Sequence, residues 1–76
     1  MIQLHTTAAS WVEVTDGSGR ALVARLIQPG ETIDLEGAAP FRLRIGNASG
    51  TQVSFRGQPM ELAAYTRDNV ARLELK

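Results

Sequence analysis

Seventy-six residues, 43% of them apolar, make one domain with one small core and leave few apolar side chains over for a buried active site. Eight basic residues balance eight acidic ones, so the chain lacks the electrostatic drive for non-specific binding to nucleic acid or an anionic membrane. There is no cysteine, which excludes a disulfide framework and a thiolate metal site.

In chain order, Ile2, Leu4, Thr6, Ala8, Ser10, Val12 and Val14 share one parity, the period-2 signature of one or two consecutive strands with that face inward. Ala8-Ala9-Ser10 marks a break or bulge between them. Asp16-Gly17-Ser18-Gly19 supplies residues tolerant of positive φ, and strand-like Ala21 to Ile27 follows, so residues 10–27 read as a β-hairpin. Gln28-Pro29-Gly30-Glu31 suits a type II turn, with Pro second and Gly third. Thr32 to Leu35 is a short alternating strand, and Gly37-Ala38-Ala39-Pro40 is a loop.

Phe41, Leu43 and Ile45 then alternate with Arg42 and Arg44, an amphipathic strand with one wet face. Gly46-Asn47-Ala48-Ser49-Gly50 turns the chain, Thr51 to Phe55 is another strand, and Arg56-Gly57-Gln58-Pro59 is another tight turn. The segment Met60 to Thr66 is ambiguous, because Pro59 suits the start of a helical turn through Ala64 that is too short to stand alone. Val70 to Leu75 closes the chain as a strand with Ala71, Leu73 and Leu75 aligned. About six to eight short strands with no long helical period predict an all-β domain, a small antiparallel β-sandwich of immunoglobulin-like or Greek-key type, with a small β-barrel as the alternative. The longest nearly apolar run, Ala21 to Ile27, is interrupted by Arg25 and is far shorter than the roughly 20 residues a membrane span requires. No signal-peptide pattern opens the chain. Met1 leads directly into strand-like sequence, the look of a domain excised from something longer.

Few residues invite chemistry. Seven of the eight cations are arginine, and arginine forms bidentate pairs with carboxylates and stacks on aromatic rings in ways lysine does not. The plain expectation is cross-strand ion pairing with Asp34, Glu36, Glu61 and similar neighbours; the functional alternative is an anion-recognising face. Trp11 and Glu13 lie opposite Val12 and Val14 in strand parity, so the indole faces outward or is covered by a loop or arginine. Tyr65 to Asn69 is a polar segment ahead of the last strand, either a simple connection or a recognition loop. Together Trp11, Arg42, Arg44, Tyr65 and Arg67 are the candidate interaction surface. His5, the single histidine, has no second imidazole or thiol for a zinc site and no Ser-His-acid spacing around it. Asp16 to Gly19 lacks the later glutamate of a calcium loop, and Asn47-Ala48-Ser49, although a glycosylation sequon, carries no functional weight. No catalytic constellation, metal site or cofactor is expected, and an enzyme is the least favoured class.

The order and spacing of Ser10-Trp11-Val12-Glu13-Val14-Thr15-Asp16, Gly19, Pro29-Gly30-Glu31, Ala39-Pro40-Phe41, Ile45-Gly46-Asn47-Ala48, Gly57 and Tyr65 to Arg72 resembles the C-terminal domain of the RodZ family of bacterial cell-shape proteins. The resemblance spans residues 4–75. It implies a non-catalytic module on the extracytoplasmic, periplasmic side of the inner membrane. In such proteins it is joined through a linker and one transmembrane helix to a cytoplasmic helix-turn-helix domain that binds the cytoskeletal protein MreB. It further implies partners among the peptidoglycan-elongation machinery or the cell wall itself, with glycan binding through Trp11 and Tyr65, or a structural cap without its own partner, as alternatives.

Overall fold

The computed structural model describes residues 2–76. The alternation from Ile2 to Val14 becomes two strands, β1 (Ile2–Thr6) and β2 (Ser10–Thr15), with Ile2, Leu4, Thr6, Ser10, Val12 and Val14 all buried. The break at residues 7–9 carries the chain from one sheet to the other, so a single parity feeds the same core from opposite sides. Thereafter come β3 (Ala21–Ile27), β4 (Thr32–Leu35), β5 (Phe41–Ile45), β6 (Thr51–Phe55), β7 (Gln58–Met60), β8 (Thr66–Arg67) and β9 (Val70–Leu75). They form a four-stranded sheet in the order β4-β1-β6-β7 and a five-stranded sheet in the order β3-β2-β5-β9-β8, with every pairing antiparallel. This is the expected sandwich and not the barrel, since the two sheets remain separate.

Nine strands exceed the expected six to eight because the ambiguous segment resolves differently from its helical reading. Pro59 lies within β7, opposite Ser54 on an edge, where its missing N–H costs no ladder bond. The helical content there is a 3-10 turn at Ala63–Tyr65. Thr66–Arg67 then pairs with the last strand through Asp68 and Asn69, both left-handed at φ 53° and 63°. Arg56 and Gly57 connect β6 to β7 with φ 54° and 78°. Two central residues at positive φ give the type I′ geometry whose twist matches that of paired strands. Gly30, at φ 82° with Glu31 N–H donating to Gln28 O, fits the expected type II turn.

The core joins Ile2, Leu4, Leu35 and Val53 of the first sheet to Val12, Val14, Leu43, Ile45, Leu73 and their neighbours in the second. Phe41 and Phe55 meet edge to face across the sheets at 5.9 Å and 72°, a favoured aromatic geometry. The two fully buried polar side chains are satisfied: Thr6 Oγ1 donates to Gln28 O at 2.6 Å, and Ser10 Oγ accepts from Asn47 N–H at 3.2 Å. At the far end Asp16, also buried, organises the β2–β3 connection. Its carboxylate accepts from Ser18 Oγ at 2.6 Å and from the N–H groups of Ser18, Arg20 and Ala38. The carboxylate that a calcium-loop reading would aim at a metal is therefore committed to its own turn.

Two stability predictions follow from this packing. Ile45→Ala, at a fully buried position, is expected to cost about 2–5 kcal/mol, a large part of the total of about 4–11 kcal/mol ordinary for this length, as read by urea unfolding. The Ser18 hydroxyl, with the backbone N–H groups, holds the Asp16 carboxyl below its ordinary 3.8 against the opposing effect of burial. The Arg25 guanidinium, then Gln28 N–H, likewise lowers Glu31. For both groups the unfolded chain takes up the proton first as pH falls. Their contribution is complete above the ordinary carboxylate range and is lost as pH drops through the lowered values. Unfolding midpoints measured down through pH 4 should fall more steeply in the native chain than in Asp16→Asn, which starts lower.

Candidate functional site

The outer faces of the two sheets differ in chemistry. On the four-stranded sheet the outward side chains of β1 and β4 pair with one another: Gln3 Nε2 donates to Asp34 Oδ1 at 3.0 Å, and His5 Nδ1 lies 2.9 Å from Thr32 Oγ1. The five-stranded sheet instead presents apolar and basic groups in rows that follow directly from register. Trp11 faces Leu26 across β2 and β3, and these two are 45% and 46% exposed. Gly46 N–H donates to Trp11 O at 2.6 Å, which puts a residue with no side chain on the other flank of the indole. Continuing the β5–β9 and β8–β9 registers from Ile45, Ala71 and Val70 completes a row of Leu26, Trp11, Gly46, Val70 and Arg67.

The next row runs Ala24, Glu13, Arg44, Arg72, and the third pairs Thr15, Arg42 and Glu74. Glu13 Oε1 accepts the indole N–H at 2.9 Å, while its other oxygen lies 4.0 Å from Arg44. Arg42 Nε reaches Glu74 at 3.3 Å. Arg44 and Arg72, by contrast, are directly opposed like charges. The Gly46 bond points the 42, 44, 46 set of β5 toward β2, so Arg44 and Arg72 form a non-hydrogen-bonded pair, the closest kind of cross-strand neighbour. Neither Arg67 nor Arg72 has a carboxylate within 4.0 Å among the described residues.

All five candidate residues are placed by this geometry. Trp11, Arg42, Arg44 and Arg67 share the face itself, and Tyr65, 48% exposed at the end of its 3-10 turn, borders it beside Arg67, Val70 and Arg72 around one cleft. Trp11 lies on β2, and Tyr65 sits in the turn just before β8, with β5 and β9 between those two strands. The two aromatics do not close on a single sugar ring. The expected ion pairing differs in detail: Asp34, Glu36 and Glu61 make no salt bridge among the described residues, and the acids used are Glu13, Glu31 and Glu74. Arg72, Leu26 and Gly46 escaped the sequence reading. Arg72 was legible, since it alternates with inward Ala71 and Leu73. Leu26 was not, because its own parity set, Leu22, Ala24 and Leu26, is more apolar than the inward set of Val23, Arg25 and Ile27, and only the pairing with β2 fixes which set faces the core.

Asn69 does not bond its own loop as a simple connection would. Its Oδ1 accepts Ser49 N–H at 2.8 Å, and its Nδ2 donates to Asn47 Oδ1 at 2.8 Å. On the other flank, a groove of about 630 Å³ runs beside β6 and β7, with Glu61 the single ionisable group in its lining. No cluster of three His, Asp or Glu side chains is set to hold a metal among the described residues. No helix among them is long and apolar enough to cross a membrane.

Two antiparallel sheets around one core, one outer face polar and the other apolar and basic, define a small all-β sandwich domain. The family model for the RodZ C-terminal domain matches residues 3–74, and the chain belongs to that family. No solved structure matches the chain.

Trp11 contributes little to the core despite its size, so Trp11→Ala should lower stability by no more than about 1 kcal/mol, well under the cost of Ile45→Ala. Acrylamide should quench the native indole nearly as readily as in the urea-unfolded chain.

Proposed function

We propose that this domain is a non-catalytic, extracytoplasmic interaction module of a RodZ-like protein, and that it recognises a protein partner through the outer face of its five-stranded sheet. In the parent protein it would act on the periplasmic side of the inner membrane, linking an MreB-bound cytoplasmic domain to the peptidoglycan-elongation machinery and so to rod shape. The observation that carries the reading is the Trp11–Leu26 pair, two large apolar side chains left about half exposed side by side next to a row of arginines. Tryptophan and arginine are the residues most enriched at the energetic centres of interfaces. No step of chemistry is assigned to the domain.

Peptidoglycan itself is the second reading, favoured by the two exposed aromatics. Because two strands, β5 and β9, lie between β2, which carries Trp11, and β8, which Tyr65 precedes, it calls for a glycan long enough to span the sheet.

A photo-crosslinking amino acid at Ala24, beside Trp11 on the outer face, compared with one at Gln52 on the outer face of the other sheet, tests the proposal in cells carrying the full-length protein. Adducts with elongation proteins from position 24 and none from position 52 are expected, and Trp11→Ala with Arg67→Ala should abolish them and round the cells. Equal adducts from both faces, or none with shape unchanged, would leave a structural cap as the better account. Muropeptides shifting the Trp11 and Tyr65 resonances of the isolated domain would move the assignment to the glycan.

A further inference from the structure

The geometry points to Arg67 and Arg72, with Arg44 and Tyr65 beside them, as a carboxylate-recognition site for an extended acidic peptide segment of a protein partner. This inference rests on the interaction-face reading above and specifies the chemistry of what that face takes. Its first support is an energetic conflict. Arg44 and Arg72 oppose each other directly in the β5–β9 register, at the class of pair with the closest side chains, where like charges destabilise a sheet. Arg44 has a distant partner in Glu13 at 4.0 Å, and Arg72 has none within that distance among the described residues. A threonine or glutamate in place of Arg72 would serve the fold better. A residue that weakens its own sheet and has no internal partner is suited to a partner from outside.

The second support is the cleft. Tyr65, Arg67 and Arg72 border one concavity with Val70 as its apolar floor. Asp68 is the one acid on the rim, held in a left-handed turn position. Two arginines there exceed the single carboxylate, on a chain whose net charge is zero. Planar guanidinium groups match a carboxylate in a two-point contact, and an adjacent tyrosine hydroxyl adds a further donor.

The third support decides the kind of ligand. The same face carries the Trp11–Leu26 pair two strand spacings from Arg72, about 10 Å. Gly46, lacking a side chain, leaves the way between Trp11 and Val70 low. An extended peptide covers that distance in about three residues, so one segment can set an apolar side chain on Trp11 and carboxylates on the arginines. Free inorganic phosphate has no use for the apolar half of the face.

The test uses the 76-residue domain, with capped hexaglutamate, capped hexaglutamine and inorganic phosphate as probes at equal ionic strength, read by the arginine Nε–H and backbone resonances. Hexaglutamate is expected to move the signals of Arg67 and Arg72, hexaglutamine to leave them unchanged, and Arg72→Glu to weaken the response tenfold or more. The same Arg72→Glu variant should raise the urea midpoint by a few tenths of a molar, because it replaces a like-charge pair by an attractive one. Phosphate acting as strongly as hexaglutamate, or neither acting, would overturn the proposal. So would a lower midpoint in Arg72→Glu, which would make Arg72 structural. If crosslinks from Ala24 persist while hexaglutamate fails, the carboxylate site falls and the interaction face stands; if both fail, the face itself falls.

Discussion

The Asn47 side chain is the contact on which the rest of the sandwich depends. A domain this small without disulfides must fix its sheet crossings by hydrogen bonds, and at one end of the molecule three of them converge on this amide. Nδ2 donates to Ala9 O in the β1–β2 crossing, and Oδ1 accepts from Asn69 Nδ2 in the last hairpin and from Ser49 Oγ in its own turn. Its backbone joins in, with the N–H donating to buried Ser10 Oγ and the carbonyl accepting Thr51 Oγ1. One residue thus ties β2, β5, β6 and β9 at their ends. A one-residue slip in any of those pairings would turn the corresponding side chains to the wrong face. The rows that bring Trp11, Arg44, Arg72 and Arg67 onto one surface exist because this end is pinned. Asp16 does the same at the other end, where its carboxylate holds the β2–β3 turn and reaches Ala38 N–H in the loop before β5.

The two ends also explain what was legible in the sequence. Strand parity from Ile2 to Val14 and in Phe41 to Ile45 predicted the buried face of each strand, failing only at Ala8, which lies in the crossing between β1 and β2 and is half-buried, because a two-sided sandwich gives each strand one wet face and one dry face. The Pro29-Gly30 turn and the 10–27 hairpin were legible because their backbone angles demand those residue types. The segment from Met60 to Asn69 was not. Its strands are two and three residues long, too short for a period to register, and its direction is set by long-range bonds from Asn69 to Asn47 and Ser49. For the candidate surface, parity gave the outward orientation of Trp11, Arg42 and Arg44. The conflict between Arg44 and Arg72 is a matter of register between strands 28 residues apart, which no local pattern encodes.

The contrast between the two outer faces carries the functional argument further than the exposure of any one residue. Isolated apolar side chains on a surface are ordinary. Here, however, one sheet presents polar groups, with Gln3 paired to Asp34 and His5 to Thr32, while the other leaves two large apolar groups adjacent and two arginines without a carboxylate partner among the described residues. Arg42 and Glu74 show that the second sheet also accommodates ordinary pairing where it is needed. The unpaired arginines therefore reflect their positions and not a shortage of acids in the chain.

A β-sandwich has two ways to bind a peptide, by adding a strand at an edge or by receiving it on a face, and the four edges here are each blunted against the first. The longest, β3, turns its one charge, Arg25, to the core-facing side opposite Val12. There its guanidinium binds Glu31 and its own neighbour's carbonyl, Leu26 O. An inward charge and a register shift are both recognised devices against edge pairing. In the other sheet β4 carries Asp34 and is four residues long, and β7 has Pro59 at its centre. The last edge, β8, offers two residues. These features disfavour the addition of an incoming strand and with it main-chain pairing as the source of affinity. On the proposed reading, recognition is then assigned to side chains on the face that carries Trp11, Arg44 and Arg72.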